Sequence, residues 1–411
     1  MSNKNLSLAK ERIKFLMLEG VHARGLDELR RNGYHNIETL PTAPPPAELA
    51  ERLRDVHFLG IRSRSQITAE ALDSAEKLTA IGCFCIGTDQ VNLAAARQRG
   101  IPVFNAPYAN TRSVAELVLG EIIMLMRGIP MRNAGAHRGQ WLKSAKGSHE
   151  VRGKTLGIIG YGHIGSQLGI LAEGLGMRVI YYDIAAKLPL GNAFGLGSLA
   201  ELLAEADVVS VHVPDTELTR NMINADTLAS MRPGVHFINA ARGRIVDIPA
   251  LAEALRSGHV ASAALDVFPV EPKGADEPFV SELRGMDNVL LTPHIGGSTL
   301  EAQENIALDV ATKLARYSDN GSTMGAVNFP EVSLPDQANT RRILHIHRNE
   351  PGVLQAINSV ISAASVNIAA QYLQTLPDVG YVVMDLETED TPALVRELDR
   401  IPATIRTRYL N

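Results

Sequence analysis

Three side chains of complementary chemistry stand just beyond three apolar runs of this chain: Arg242 in NAARGRIVD, Glu271 in DVFPVEP and His294 in LTPHIGGST. The runs, near residues 236–240, 262–268 and 289–292, read as β-strands of an α/β repeat, and ligands of an open parallel sheet bind beyond the carboxyl ends of its strands. Arginine can clamp a carboxylate through two parallel N–H bonds, a geometry that lysine lacks. Histidine can take and return the proton of a hydroxyl. A glutamate on the far ring nitrogen would fix its tautomer and raise its pKa. Together they suit one reaction, the interconversion of a 2-hydroxy acid and a 2-oxo acid. Most single arginines and histidines are structural or solvated, so it is their joint occurrence at three strand ends that singles these out. His137, His149, His212, His236 and His259 lack such company and receive no role.

A cofactor that takes up a hydride must lie beside these groups, and the chain offers a place for it. An apolar run (Leu156, Ile158, Ile159) enters GYGHIG at residues 160–165, a helical segment follows, and the next run, RVIYYD, ends in Asp183. This is the pattern of a βαβ unit that holds a dinucleotide. Gly160 permits the tight turn, Gly162 lets the backbone approach a pyrophosphate, and Gly165 lets the helix lie close to the sheet. The pyrophosphate then sits on the free N–H groups of the helix's first turn. Asp183 accepts both ribose hydroxyls of NAD and repels the extra phosphate of NADP; the nearest base downstream is Lys187, so the expected cofactor is NAD.

The composition allows such an enzyme. A chain of 411 residues, 45% hydrophobic and 21% charged, is long enough for two or three domains. Its net charge of −5 implies no basic face for nucleic acid. The opening MSNKNLSLAKERIK is polar and the FLML after it is too short for a signal or membrane segment, so the expected setting is the cytoplasm. Cys83 and Cys85, in LTAIGCFCIG, read as buried small residues rather than a redox or metal pair.

The nucleotide motif begins near residue 150, which leaves a large segment in front of it. There, apolar runs at 13–18, 58–61, 78–84 and 101–104 alternate with helical patterns such as GLDELRRNG and NLAAARQRG, predicting a second, smaller parallel sheet. PTAPPP at 41–46 reads as a surface loop. Two amphipathic helices bracket the nucleotide region, one opened by Ser113 with Glu116 and the other by Ser298 with Glu301, both read as capping boxes. They look like the crossings between domains, with Gly296 and Gly297 as hinge candidates. NFPEVSLPDQANT, with little periodicity, leads to a C-terminal unit that from Arg342 follows the βαββαβ arrangement of ferredoxin-like folds.

The nucleotide fingerprint, NAARG, DVFPVEP and LTPHIGG, in this order and spacing, resemble the D-isomer-specific 2-hydroxyacid dehydrogenase family. Within it, IRSRSQIT, IGCFCIGTDQVNL, NAPYANTRSVAE, KLPLGNA and YSDNGSTMGAVNFPEVSLP are similar to the short bacterial branch that acts on 3-phospho-D-glycerate, over nearly the whole chain. The resemblance implies that Arg242, Glu271 and His294 are the active-site residues. It implies that His163, Ile164, Asp183, Ala240, Ala241, Arg242, Asp266, His294, Ile295, Gly296 and Gly297 line the NAD site. The implied reaction is oxidation of 3-phospho-D-glycerate to 3-phosphohydroxypyruvate, the first step of L-serine biosynthesis. A phosphorylated acid needs positive charge beyond the carboxylate clamp, and Arg62, Ser63 and Arg64, after the 58–61 run, are assigned to the phosphate. Asn110 is expected to line the cleft, Lys143 to reach in from a neighbouring subunit, and Trp141 to anchor contacts in a homotetramer.

The C-terminal unit resembles the ACT domain, a module that binds amino acids. In relatives L-serine lies between two such domains, and the matching positions are His347, Asn349 and Asn367, with N–H groups near Gly352 for its carboxylate. Glu350 departs from the relatives, where its position is often basic or neutral, and its charge opposes a carboxylate. His345 and His347 share a strand face but lack the partners of a metal site.

The expected architecture is α/β. A Rossmann-type NAD domain (111–297) is inserted in a flavodoxin-like substrate domain (1–110 and 298–330), followed by a linker (331–340) and a ferredoxin-like ACT domain (341–411). Two other functions share these residues. One is a sibling dehydrogenase acting on 2-oxoglutarate or 2-hydroxyglutarate, since carboxylate and phosphate can share a basic pocket. The other is a non-catalytic NAD-sensing regulator, against which the intact Arg, Glu and His set argues. No metal, nucleic acid or membrane partner is expected.

Overall fold

The computed structural model describes residues 8–272, 276–335, 340–388 and 391–410, so the linker expected at 331–340 falls partly outside the described residues. Contacts divide the chain into two units, Asn110–Ala302 and the remainder up to Ala109 and from Gln303. Among the described residues no helix is long and apolar enough to cross a membrane.

The remainder contains a five-stranded parallel sheet in the order β2-β1-β3-β4-β5, built from Phe15–Met17 (β1), Ile37–Thr39 (β2), Phe58–Ile61 (β3), Ala80–Cys83 (β4) and Val103–Phe104 (β5). β1, β3 and β4 are buried along their whole length, as strands are where helices cover both faces of a parallel sheet. Cys83 is part of that core, and burial raises its pKa and pushes that of Cys85 to about 11. β2 escapes sequence pattern because IET has one apolar residue and lies half-exposed at the sheet edge. The proline loop is shorter than 41–46. Pro46 opens the helix Pro46–Leu53, a position that suits its fixed φ and missing N–H.

The second unit holds seven parallel strands in the order β12-β11-β10-β9-β6-β7-β8. They are Thr155–Ile159 (β6), Arg178–Tyr182 (β7), Phe194–Gly195 (β8), Val208–Val211 (β9), Val235–Asn239 (β10), Val260–Leu265 (β11) and Val289–Leu291 (β12). The order reverses between β6 and β9, the switch point at which an open sheet binds ligands. Leu156, Ile158, Val209 and Ile238 are 0% exposed, each such burial contributing about 1.5–3 kcal/mol. The helix Thr111–Met126 packs on this core through Val114, Ala115, Val118, Ile122, Leu125 and Met126, and its buried stripe also includes Glu121.

Neither capping box forms. Ser113 lies inside the helix, its hydroxyl 2.8 Å from that of Thr299, while Glu116 pairs with Arg112 and Asn110 takes the N-cap position. The helix Leu300–Asn320 begins later than expected, with Thr299 rather than Ser298 accepting from the Ala302 N–H at 3.1 Å. At the second helix an adjacent Thr offers an equivalent cap oxygen that the S-x-x-E pattern does not distinguish from that of Ser, while at the first Asn110 makes no side-chain cap bond.

The C-terminal sheet is antiparallel in the order β14-β15-β13-β16, from Arg341–Arg348 (β13), Asn367–Thr375 (β14), Val379–Glu387 (β15) and Thr404–Leu410 (β16). With the helices Val353–Ala363 and Thr391–Leu398 it forms the expected βαββαβ arrangement, closed by Val353, Ile357 and Ile361 against Val382, Met384 and Leu386. Arg342 and Asp385 form a buried bidentate pair at 2.7 and 2.9 Å, and Arg342 also donates to the Asn320 carbonyl. Removing one partner of such a pair would strand the other charge, a loss of about 3–5 kcal/mol.

Candidate active site

The three glycines of the nucleotide motif have three separate reasons. Gly160 has φ +91°, and a Cβ there would lie 2.4 Å from the His212 carbonyl oxygen. At Gly165 it would lie 2.2 Å from the Gly160 carbonyl, so the helix His163–Gly174 can approach the turn only without a side chain. Over Gly162 nothing lies within 4 Å, and the helix opens with no side-chain cap on its first N–H groups. Open space before uncapped N–H donors fits a pyrophosphate. Asp183, at the end of β7, accepts from Tyr161 N and Ala185 N, both at 2.9 Å, which ties the acid to the motif. Each of its oxygens keeps a lone pair for a ribose hydroxyl. His163 is exposed and Ile164 half-buried at the same helix start. These residues fit NAD.

Arg242, Glu271 and His294 come together on the loops after β10, β11 and β12. Asn239, fully buried, shapes the first loop by accepting from Ala241 N and donating to the Arg242 carbonyl, both at 3.0 Å. Sequence reading passed over it, although an Asn before a turn is a known signal for this bond. Arg242 Nη1 donates to the Ala241 carbonyl at 2.8 Å. Gly243 lets the second loop cross the first, since a Cβ there would lie 1.9 Å from the Phe268 carbonyl carbon.

Glu271 takes the Phe268 N–H on one oxygen (3.0 Å) and meets His294 Nδ1 with the other (2.8 Å). The His294 side chain is 54% exposed, and because Glu271 engages Nδ1, Nε2 is the nitrogen that this bond does not use. The Glu271 hydrogen bond raises the His294 pKa; partial burial opposes it, the charges of Glu271 and Asp266 add to it, and Arg242 subtracts. Burial alone would raise Glu271, but the His294 and Phe268 hydrogen bonds and the charges of His294 and Arg242 hold it below its ordinary value. Arg242 thus acts on both partners.

His294 has φ +54°, an uncommon conformation for a residue with a side chain. Asp266 holds it there. Only 2% exposed, Asp266 accepts from Thr292 Oγ1 (2.6 Å), Ile295 N (2.8 Å) and Gly296 N (2.8 Å). Its carboxylate is therefore directed into the His294 loop. Asn110, 9% exposed, lies against the same loop, its Nδ2 2.6 Å from where a Cβ on Gly297 would stand.

The other expected substrate residues belong to other elements. Arg62, Ser63 and Arg64 follow β3, and a buried acid absent from the sequence-based reading, Glu19, organises them. It accepts from Arg62 N (3.2 Å), Arg64 N (2.9 Å) and Ser65 N (2.9 Å) and itself has φ +62°. Arg62 Nη2 donates to Gln303 at 2.6 Å, while Ser63 and Arg64 are exposed. Lys143 follows Trp141 on an exposed segment, Trp141 being 87% exposed.

In the C-terminal sheet, His347 is buried, and burial lowers its pKa. Its ring occupies the space that a side chain on Gly380 would fill. Asn349 donates to the Leu376 carbonyl (3.0 Å) and Asn367 to Glu387 (2.9 Å); both bonds use Nδ2, and among the described residues no donor to either Oδ1 is seen. Strand register sets His347 opposite Gly380 and Asn367 opposite Glu387, seven residues apart on β15, or roughly 23 Å. One chain therefore does not bring these two residues together. Glu350, expected to repel a carboxylate, pairs with Arg348 at 2.8 Å.

Residues 119–296 match the family model of the D-isomer specific 2-hydroxyacid dehydrogenase NAD binding domain, and residues 343–406 match an AHAS small subunit-like ACT domain. A D-3-phosphoglycerate dehydrogenase of Haemophilus influenzae is 60% identical over 410 residues, covering 100% of both chains. Among solved structures, a protein of Thermus thermophilus superposes with a TM-score of 0.65 at 36% identity, covering 74% of this chain and 96% of its own. A D-lactate dehydrogenase of Aquifex aeolicus, complexed with NAD and lactic acid, gives 0.66 at 26% identity, covering 77% and 100%.

Proposed function

The chain belongs to the D-isomer-specific 2-hydroxyacid dehydrogenase family and is an NAD-dependent oxidoreductase, and we propose that it oxidises 3-phospho-D-glycerate to 3-phosphohydroxypyruvate under feedback by L-serine. The observation that carries the chemistry is the 2.8 Å bond between Glu271 and His294, with the Arg242 charge acting on both. Bound NAD supplies the hydride acceptor. Arg242 holds the substrate carboxylate and fixes C2. His294 Nε2 takes the hydroxyl proton during oxidation and returns it during reduction. Glu271 fixes the Nδ1–H tautomer and stabilises the imidazolium that forms. Asp266 and Asn110 hold the His294 loop, and the phosphate is assigned to Arg62, Ser63 and Arg64.

The substrate assignment is supported by the full-length similarity to a protein named D-3-phosphoglycerate dehydrogenase. The serine assignment is supported by the ACT match and by the two asparagine Oδ1 atoms left free to accept from an ammonium or hydroxyl group. Since His347 on β13 and Asn367 on β14 face opposite ends of β15, a ligand touching both would lie between two copies of the chain. Exposed Ile123, Ile129, Met131 and Trp141 on the second unit support a further subunit contact and hence a homotetramer, with Lys143 supplied across it.

The test is NADH consumption by the purified protein with 3-phosphohydroxypyruvate, titrated with L-serine. Fast turnover suppressed by serine is the expected result. Fast turnover indifferent to serine would remove the feedback assignment, and rapid turnover of 2-oxoglutarate alone would replace the substrate.

A further inference from the structure

The helix Thr111–Met126 carries one residue that its packing does not explain. Glu121 lies in the apolar stripe beside Ile122, 1% exposed, and neither carboxyl oxygen has a hydrogen-bond partner among the described residues. A carboxylate in that position would bear the desolvation cost of an unpaired buried charge. The same helix face meets Asp266, the brace of the His294 loop: a Cβ on Gly296 would lie 3.0 Å from Asp266 Oδ2, 3.4 Å from Val114 Cγ2 and 3.8 Å from Leu117 Cδ2, one turn before Glu121, and the Asp266 charge acts on Glu121. The helix also packs on the helices Ile129–His137 and His163–Gly174 and on β10 and β11. Their titratable groups, Arg132, His137, His163, Glu173 and His236, exert no resolved influence on Glu121.

We propose that Glu121 is a positioning residue for His294, acting as the neutral member of a buried carboxyl pair with Asp266. This rests on the acid–base role given to His294 above. Burial first, and the Asp266 charge second, push the Glu121 pKa up to about 8. Protonated, Glu121 leaves the pair with a single charge, the one that accepts from Thr292, Ile295 and Gly296. Ionised, it sets a second negative charge against Asp266 in a dry site without a cation. Repulsion then draws Asp266 away from the loop or admits water beside it, and His294 loses the support for its left-handed backbone.

The direction of assay isolates this effect. Reduction needs protonated His294, so its alkaline limb contains that histidine's own titration. Oxidation needs neutral His294, and its alkaline side is free of that titration. In oxidation of 3-phospho-D-glycerate, wild-type kcat should fall about tenfold for each pH unit beyond the pair's apparent pKa. Glu121→Gln, which keeps the shape but does not ionise, should lose that limb. A limb unchanged in Glu121→Gln overturns the proposal. A second readout needs neither substrate nor variant: the carbon-13 titration of the Glu121 carboxyl in the wild-type protein. Titration near pH 8 supports the pair, and titration in the ordinary carboxylate range overturns it. Absence of turnover in both proteins would count against the substrate alone, with the carboxyl titration still deciding on Glu121.

Discussion

In one unit the loop after β3 hangs on Glu19, and in the other the loop after β12 hangs on Asp266. Each brace is a buried carboxylate just past the end of the neighbouring parallel strand, and each accepts three hydrogen bonds. They differ in where the left-handed residue sits. In the first it is the brace itself, Glu19 at φ +62°; in the second it is the held residue, His294 at φ +54°. A left-handed backbone costs about 1–3 kcal/mol at a residue with a side chain. The first brace bears its own strain and leaves the arginine loop relaxed. The second holds strain in the side chain proposed to move the proton, so its failure should reach the chemistry directly.

Removing that side chain gives the largest effect. His294→Ala should lower kcat by about 10²–10⁴-fold while NADH binding, followed by fluorescence, is retained; an active variant would sink the mechanism. Asp266→Ala leaves His294 present but unsupported and should cost about 10²-fold, mostly in kcat. Glu271→Gln should let the His294 pKa fall back towards its ordinary value. Reduction uses the imidazolium, so its rate is full below that pKa and lost as pH rises through it. The variant's alkaline limb should therefore move to lower pH, with the reduction rate lost first at the alkaline end. Glu19→Ala should act least, raising KM for the phosphorylated substrate several-fold, roughly 1 kcal/mol, with kcat little changed. If the Glu19 and Asp266 variants altered the same kinetic parameter, the contrast between the two loops would not stand.

The residues proposed to meet the ligands could be singled out in the sequence because the proposed chemistry fixes both their type and their place. Arg242, Glu271, His294 and the glycines of GYGHIG each sit at a strand end that apolar patterning marks. The residues that hold them were not. Asn239 and Glu19 act on backbone N–H and carbonyl groups, and any polar residue in the right place could do so; only the fold gives the place. Glu121 was hidden in VAELVLGEIIMLM, where an acid in an amphipathic helix ordinarily faces water, yet here it faces the core. The edge strands β2 and β8 were missed for a related reason: edge strands bury too little to need an apolar run.

The separation of His347 and Asn367 along one sheet has a genetic consequence. If, as proposed, L-serine binds between two copies related by a two-fold axis, each junction draws His347 from one chain and Asn367 from the other. A His347→Ala chain and an Asn367→Ala chain are then each serine-blind alone. In a mixed pair, one junction loses both residues and the other loses neither. Two insensitive alleles expressed together should restore part of the serine response by intragenic complementation, which alleles damaged at the same residue would fail to do.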